Sequence, residues 1–345
     1  MAQAQDIGTL IAAALPAPAQ DAARCRVCGS AAIASIGRVE FYSGFPAQIW
    51  DCRDCGCRFT DDPGPIHDVL HAEASSSYSV YRDMAEASKK HFDRGDLAKL
   101  RASLAIHRKY AFVMDAVDAG PGESSILEVG CSRGHMTAYF ILAGYDILGT
   151  DISPHAAKAA ELNFGKHFAL AGSSAIGDRE PYDVIFHIGT IGCVSDPLGF
   201  TRSLLAKLRP GGRLLFNAPN AGSCWLNGQL WVDGAYPPDL LTLFRKGFWT
   251  KHFAGEADVV ESAEPCLPEN SALIALKRLA GQKWMAPQPL PIEAGINDLR
   301  EGRDKPRADP WFNVARAVRR MPGFLLRLFP RQADAFGLFV SMTKR

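Results

Sequence analysis

Two copies of one short cysteine motif constrain the N-terminal part of this chain more than any other feature. The motifs are Cys25-Arg-Val-Cys28-Gly and Cys52-Arg-Asp-Cys55-Gly. In each, a tight turn lets two thiolates face one metal ion, and the following glycine permits the positive φ that such a turn needs. Four sulfurs complete a tetrahedral zinc site and leave no open position for water. The sequence therefore predicts a structural zinc ion bound by Cys25, Cys28, Cys52 and Cys55.

This spacing predicts a zinc-ribbon module over residues 23–62, with a short hairpin between the two motifs. The alternative is a redox C-x-x-C motif, which normally occurs once, at a helix start after a strand. Cys57 lies two residues after the second motif, as a spare thiol or a substitute for Cys55. The remaining cysteines show no ligand spacing and are expected to be reduced thiols, namely Cys131, Cys193, Cys224 and Cys266.

Apolar segments alternate with helical segments in the middle of the chain. Short strands are predicted at residues 125–129, 145–150, 167–171, 182–187 and 213–217, with helices between them. This alternation is typical of a Rossmann-like, doubly wound and mostly parallel α/β sheet, which binds ligands at the carboxyl ends of its strands. The core is predicted to span residues 120–262. A helical linker or cap at residues 63–119 precedes it, with Leu97, Leu100, Leu104 and His107 on one helical face.

A glycine turn joins the first predicted strand to its helix. The segment Glu128-Val-Gly130-Cys-Ser-Arg-Gly134 has serine where a dinucleotide-binding turn has its middle glycine. S-adenosylmethionine (SAM) carries no pyrophosphate and needs only a tight turn past its methionine moiety. We expect Gly130 and Gly134 to form that turn, and Glu128 to meet the ammonium group. Asp151, at the end of the second strand, is expected to accept hydrogen bonds from two ribose hydroxyls.

The stretch from residue 125 to residue 220 resembles the class I SAM-dependent methyltransferases. The similarity includes Gly172-Ser173 after the third strand, the strand Tyr182-Asp-Val-Ile-Phe186 and the turn Leu208-Arg-Pro-Gly-Gly212. The resemblance implies a seven-stranded, mostly parallel sheet and SAM as the cofactor.

The resemblance also implies further cofactor contacts. Gly172 and Ser173 are expected near the adenine, and we add Ile152 because it follows Asp151. Tyr78 and Tyr81, from the upstream segment, are expected to close over the cofactor.

Three residues are the predicted catalytic groups. His187 closes the fourth strand at the expected meeting point of cofactor and substrate, and it is the first candidate base. The alternative for His187 is a structural or cofactor-contacting role. Asp233 and Tyr236 follow, because the segment after the fifth strand mixes aromatic, amide and acidic side chains that suit a concave ligand site. That segment also holds Trp225, Gln229, Trp231 and Asp239.

A zinc ribbon followed by this core resembles the methyltransferases of bacterial sugar and natural-product biosynthetic clusters. It implies O- or C-methylation of a small molecule, such as a sugar nucleotide, glycan intermediate or natural product. One alternative is an RNA methyltransferase that grips RNA with the zinc module, and another is a non-catalytic SAM-binding scaffold. The near balance of 38 Lys and Arg against 37 Asp and Glu argues against DNA and disfavours RNA.

The two ends of the chain carry weaker signals. Residues 1–22 are expected to be a disordered tail rather than a signal peptide, since a basic start is missing. No apolar run reaches the ~20 residues of a membrane-spanning helix, so a cytoplasmic location is expected. Residues 263–335 are predicted to form a helical insertion and residues 336–345 a final core strand. The basic residues of this C-terminal region suit peripheral contact with an anionic membrane or a partner, or simple packing.

Overall fold

The computed structural model describes most of the zinc-module and core segments. The described residues are 24–42, 45–61, 64, 66–69, 71–72, 79–117, 124–172, 174–223, 230–232, 237–265 and 334–345, with scattered positions between 272 and 326. The predicted tail at 1–22 and most of the predicted insertion at 263–335 lie outside these residues. Among the described residues, no helix is long and apolar enough to cross a membrane.

The N-terminal segment forms three antiparallel strands: β1 (Ile33–Tyr42), β2 (Phe45–Cys52) and β3 (Arg58–Thr60). The hairpin β1–β2 lies between the two cysteine motifs, where the sequence predicts a hairpin. Strand β3 pairs with the other edge of β2.

A helical layer follows: α1 (Ile66–Val69), α2 (Ser79–Phe92), α3 (Leu97–Ala105) and α4 (Arg108–Ala116). Asp96 caps α3, because its carboxylate accepts the Lys99 backbone N–H at 3.1 Å. Leu100 and Leu104 are buried, as the helical period predicts. His107 differs from the prediction: it is exposed, because α3 ends at Ala105 and His107 is the N-cap of α4.

The elements that follow alternate strands with helices over most of their length. In chain order they are β4 (Ser125–Val129), α5 (His135–Leu142), β5 (Asp146–Asp151), α6 (Pro154–Phe164), β6 (Phe168–Leu170), α7 (Ser174–Gly177), β7 (Tyr182–His187), a 3₁₀ turn (Ile191–Cys193), α8 (Pro197–Lys207), β8 (Leu208–Pro219), β9 (Thr242–Leu243), α9 (Phe248–Phe253), β10 (Ala257–Pro265), α10 (Gly323–Leu326) and β11 (Asp334–Lys344).

Seven of these strands form one sheet in the order β10-β11-β8-β7-β4-β5-β6. The five strands from β8 to β6 run parallel. Strand β11 runs antiparallel to both of its neighbours, β8 and β10, so β10 has the same direction as the five parallel strands. The expectation of a doubly wound, mostly parallel seven-stranded sheet is therefore confirmed. The order of the strands reverses at β4, which lies between β5 and β7. In such sheets the ligand crevice opens beyond the carboxyl ends of the strands at this switch point.

A second, four-stranded sheet has the order β1-β2-β3-β9. Its last strand comes from the segment after β8, so the cysteine module and the core share a sheet. Phe59 pairs with Thr242, and the Thr60 N–H donates to the Leu241 carbonyl at 3.0 Å. This pairing satisfies the backbone groups along the β3 edge, which a free module would leave open. The sequence does not reveal it, because β9 is only two residues long.

Candidate functional site

The four predicted zinc ligands converge. Their sulfur atoms lie within 4.8 Å of one another. The Sγ atoms of Cys25 and Cys55 are 3.8 Å apart, and those of Cys28 and Cys52 are 3.7 Å apart. A tetrahedral zinc ion with Zn–S bonds of about 2.3 Å requires sulfur–sulfur distances of about 3.8 Å. The spacing of the thiols therefore fits a closed zinc site.

Both cysteine turns have the same backbone form. The Gly29 N–H donates to the Cys25 carbonyl at 2.8 Å, and the Gly56 N–H donates to the Cys52 carbonyl at 3.0 Å. Gly29 and Gly56 have φ of 75° and 72°, which is the positive φ expected at these positions. Burial raises the pKa of the Cys28 thiol to about 11, so a bound cation would have to stabilise its thiolate. Cys57 is buried and lies outside the four-sulfur cluster.

The turn after β4 depends on its two glycines. Gly130 and Gly134 have φ of 76° and 80°. A Cβ on Gly130 would lie 2.6 Å from Thr190 Oγ1, and one on Gly134 would lie 2.6 Å from the Phe168 ring. Neither position admits a larger residue without displacement of these neighbours. The turn therefore brings its backbone close to the carboxyl ends of β4 and β5.

Asp151 fixes this turn from the end of β5. Its carboxylate accepts the N–H groups of Ser132 at 2.8 Å and Ser153 at 2.9 Å, one on each oxygen. Ser132 has a φ of 49°, a left-handed conformation that this hydrogen bond helps to hold. Each carboxylate oxygen can accept a second hydrogen bond, as contact with ribose hydroxyls would require. Beside it, the apolar side chain of Ile152 is 55% exposed at the rim of this crevice.

Glu128 is buried inside the sheet, and its carboxylate accepts a hydrogen bond from the Thr137 hydroxyl. Burial, with a smaller contribution from the nearby charge of Asp151, raises the pKa of Glu128 to about 8. A buried carboxyl of this kind ionises readily only beside a cation. The environment of Glu128 therefore suits an ammonium group.

Tyr81 lies beside the same crevice. Burial raises the pKa of its hydroxyl, and so do the nearby charges of Asp239, Cys193 and Asp151. Its ring is stacked with that of His135, at a centroid distance of 6.4 Å. Gly172 is exposed beyond β6, with a φ of 84°. Four other predicted site residues lie outside the described residues: Tyr78, Ser173, Asp233 and Tyr236.

His187 occupies a different environment from the one expected of a catalytic base. It is fully buried, with its ring centroid 4.7 Å from that of Phe216 and 5.5 Å from that of Phe200. Neither ring nitrogen hydrogen-bonds to a described residue. Burial lowers the pKa of His187 to about 3. This aromatic enclosure is typical of a packing residue, the structural alternative given for His187, and the catalytic role of His187 stays a prediction.

A group that sequence reasoning missed lies at the crevice. The ligand-type atoms of His71, Cys193 and Asp239 lie within 4.8 Å of one another. His71 Nε2 is 3.2 Å from Asp239 Oδ1. Asp239 belongs to the segment predicted to face the acceptor, but the other two residues belong to no motif. They meet because three segments far apart in sequence pack together, which no local pattern reports.

The comparisons with known proteins agree with this geometry. Residues 94–257, nearly half of the chain, match the family model described as Methyltransferase domain. A ubiquinone biosynthesis O-methyltransferase from Parvibaculum lavamentivorans is 28% identical over 177 residues, which cover 49% of this chain and 66% of that protein. A second ubiquinone biosynthesis O-methyltransferase, from Idiomarina loihiensis, is 25% identical over 111 residues, which cover 30% of this chain and 46% of that protein. The chain thus spans less than two thirds of the length of each relative.

Solved structures overlap more loosely. The plantazolicin methyltransferase BpumL covers 81% of this chain and 94% of its own at 14% identity, with a TM-score of 0.40. The YcgJ protein from Bacillus subtilis covers 69% and 99% at 15% identity, with a TM-score of 0.41. Overlaps at this level transfer no substrate or residue role. The strand order and the family match together confirm the predicted class I methyltransferase fold and its methyltransferase domain.

Proposed function

We propose that this chain transfers the methyl group of SAM to a hydroxyl oxygen of a small-molecule acceptor in a biosynthetic pathway. The observation that carries the proposal is the arrangement at the carboxyl ends of β4 and β5. There a glycine turn, a buried Glu128 and an Asp151 with spare acceptor sites lie together, at the switch point where such sheets bind ligands. The relatives named O-methyltransferase support oxygen as the methylated atom.

Each part of SAM has a matching group on the chain. Asp151 would accept the ribose hydroxyls, and the exposed side chain of Ile152 would cover one face of the adenine. Glu128 would balance the ammonium group within the sheet. SAM supplies the sulfonium methyl group, and the chain contributes orientation and exclusion of water around it.

The cysteine cluster would hold a structural zinc ion. Four thiolates fill its coordination sphere, so it offers no position for the acceptor or for an activated water. Its role is to fix the ends of β2 and β3, and hence the four-stranded sheet. The cluster sits on the same buried core as the inner faces of β8 and α9, through Phe59, Phe216 and Trp249.

Calorimetric titration tests the cofactor assignment. SAM or S-adenosylhomocysteine should bind the full-length protein, and NAD should not. Asp151→Ala should cost about 1.5–3 kcal/mol of binding free energy, since a charged acceptor of two hydroxyls is lost.

The matched control is Asp196→Ala. Asp196 also accepts a backbone N–H, that of Gly199 at 2.9 Å, but as the exposed cap of α8. It should lose about 1 kcal/mol of stability and keep its SAM affinity. Equal SAM binding by Asp151→Ala and the parent protein would remove the ribose assignment.

A further inference from the structure

The cluster at the crevice contains a histidine whose tautomer its partners define. His71 Nε2 lies 3.2 Å from the carboxylate of Asp239 and also 3.2 Å from the backbone carbonyl of the same residue. Both partners are acceptors, so Nε2 must carry the hydrogen. The lone pair of a neutral His71 ring therefore lies on Nδ1. A histidine held in one tautomer by a carboxylate is the arrangement that general-base catalysis requires.

A second histidine fixes the orientation of this ring. His67 lies four residues before His71, and their ring centroids are 4.4 Å apart at an angle of 62°. His67 Nδ1 donates to the Pro238 carbonyl at 2.7 Å. Burial lowers the pKa of His67, and the charge of His71 lowers it further, so His67 stays a neutral, fixed neighbour. The two histidines thus bind consecutive carbonyls of the 238–239 segment.

The pair lies near the turn predicted to bind the cofactor. The N–H of Cys193, the third member of the cluster, donates to the Thr190 carbonyl at 2.9 Å, and Thr190 Oγ1 lies against Gly130. The charge of His71 lowers the pKa of Asp151, while burial raises it. The charge of Asp239 raises the pKa of Tyr81. Cys193 stays a neutral thiol because burial and Asp239 raise its pKa well above the usual value. The imidazole of His71 is thus the member of this cluster that can accept a proton, and its charge acts on the carboxylate assigned to the ribose.

We propose that His71 is the general base for the acceptor hydroxyl, and that Asp239 is its positioning residue. This assignment rests on the proposed methyl transfer to oxygen. The acceptor O–H bond breaks and its proton moves to His71 Nδ1. The acceptor oxygen bonds to the methyl carbon, and the carbon–sulfur bond breaks with its electron pair left on sulfur. S-adenosylhomocysteine and the methyl ether leave, and the imidazolium of His71 returns the proton to water.

Phenols of graded acidity test the base directly. A phenol that stays protonated at the assay pH needs a base, whereas 4-nitrophenol is largely ionised and does not. His71→Ala should lower kcat with unsubstituted phenol by ~10²–10⁴, and with 4-nitrophenol by less than about tenfold. Asp239→Asn should show the same ordering with a smaller loss. The KM for SAM should stay within a few-fold of the parent value in both variants.

The control is His107→Ala, which removes an exposed histidine at the junction of α3 and α4 and should leave both rates unchanged. Equal losses by His71→Ala on both phenols would overturn the assignment, because a merely structural role does not depend on acceptor acidity. Metal analysis gives a second contradicting outcome. If the parent protein binds two zinc ions per chain and Asp239→Asn binds one, then a zinc ion is bound at His71 Nε2, and this nitrogen does not carry the proton that the assignment requires.

A readout without turnover separates this inference from the proposed function. Nitrogen NMR of histidine-labelled protein with S-adenosylhomocysteine should show His71 protonated at Nε2. If the parent protein binds SAM but methylates no phenol, the proposed acceptor class loses support while the NMR result still decides the state of His71. A His71 protonated at Nδ1 would overturn the proposal.

Discussion

Replacement of Glu128 by glutamine should change how stability depends on pH. Burial raises the pKa of Glu128 from the usual 4.5 to about 8 in the folded protein. The folded state therefore keeps a proton that the unfolded chain loses. Stability from this group is fully present below about pH 4.5 and is lost as pH rises through about 8. Each pKa unit corresponds to 1.36 kcal/mol, so the free energy of unfolding falls by at most about 5 kcal/mol in total. Roughly 3 kcal/mol of this fall has occurred by pH 7.

Glu128→Gln keeps the shape and the hydrogen-bonding oxygen, and it removes the charge. Urea unfolding of the cofactor-free parent and variant from pH 5 to pH 8 measures the contribution of Glu128 to stability. All other titrating groups contribute equally to the two plots of unfolding free energy against pH, so they cancel in the difference. Relative to the parent, the variant should gain roughly 2–4 kcal/mol over this range. Glu161→Gln, an exposed change on α6, should give a difference below about 0.5 kcal/mol throughout.

SAM binding provides the second arm of the same test. If the ammonium group pairs with ionised Glu128, the parent protein must release a proton when it binds SAM below about pH 8. Calorimetry in two buffers of different ionisation heat counts that proton, and the Glu128→Gln variant should release none. A flat stability difference, or equal proton release by both proteins, would refute the argument that burial alone keeps this carboxyl protonated before the cofactor arrives.

Substitutions in the cysteine cluster and at the buried histidine provide two further tests. Metal analysis should give about one zinc per chain for the parent and for Cys57→Ser, and none for Cys52→Ser; metal-free parent protein would contradict the zinc site. His187→Leu should raise the free energy of unfolding by about 1 kcal/mol and leave turnover within a few-fold, since it removes two buried nitrogens without hydrogen bonds. A hundredfold loss of turnover with unchanged SAM affinity would instead restore His187 as the base.

Features with a local physical cause could be predicted from the sequence. The glycines after the cysteine motifs have the positive φ that a tight turn demands, and so do Gly130 and Gly134. The helical period of residues 97–104 gave the buried face of Leu100 and Leu104. In each case a few consecutive residues decide the geometry, because steric limits on φ and a 3.6-residue period act within one turn or helix.

Features that depend on packing between distant segments could not be predicted. The position of His187 at a strand end was correct, but the alternation of the strand does not reveal that Phe200 and Phe216 enclose its ring. His71 and Asp239 lie 168 residues apart in the chain, so their contact has no sequence signature. The pairing of His71 with Asp239 therefore escaped prediction, whereas the glycine turn after β4 and the position of Asp151 at the end of β5 could be predicted from a few consecutive residues.

The shared sheet gives the cysteine cluster a role at a distance. The cluster holds the end of β2 and the start of the segment leading to β3, and β3 pairs with β9. Leu241, just before β9, accepts from the Thr60 N–H and donates to the Gly192 carbonyl at 2.8 Å. Asp239 lies two residues before Leu241, and Cys193 directly follows Gly192, so both residues of the His71 cluster adjoin these hydrogen bonds. Loss of the proposed zinc ion should therefore disturb the His71–Asp239 pair before it disturbs Glu128 or Asp151, because the latter two belong to β4 and β5 of the other sheet.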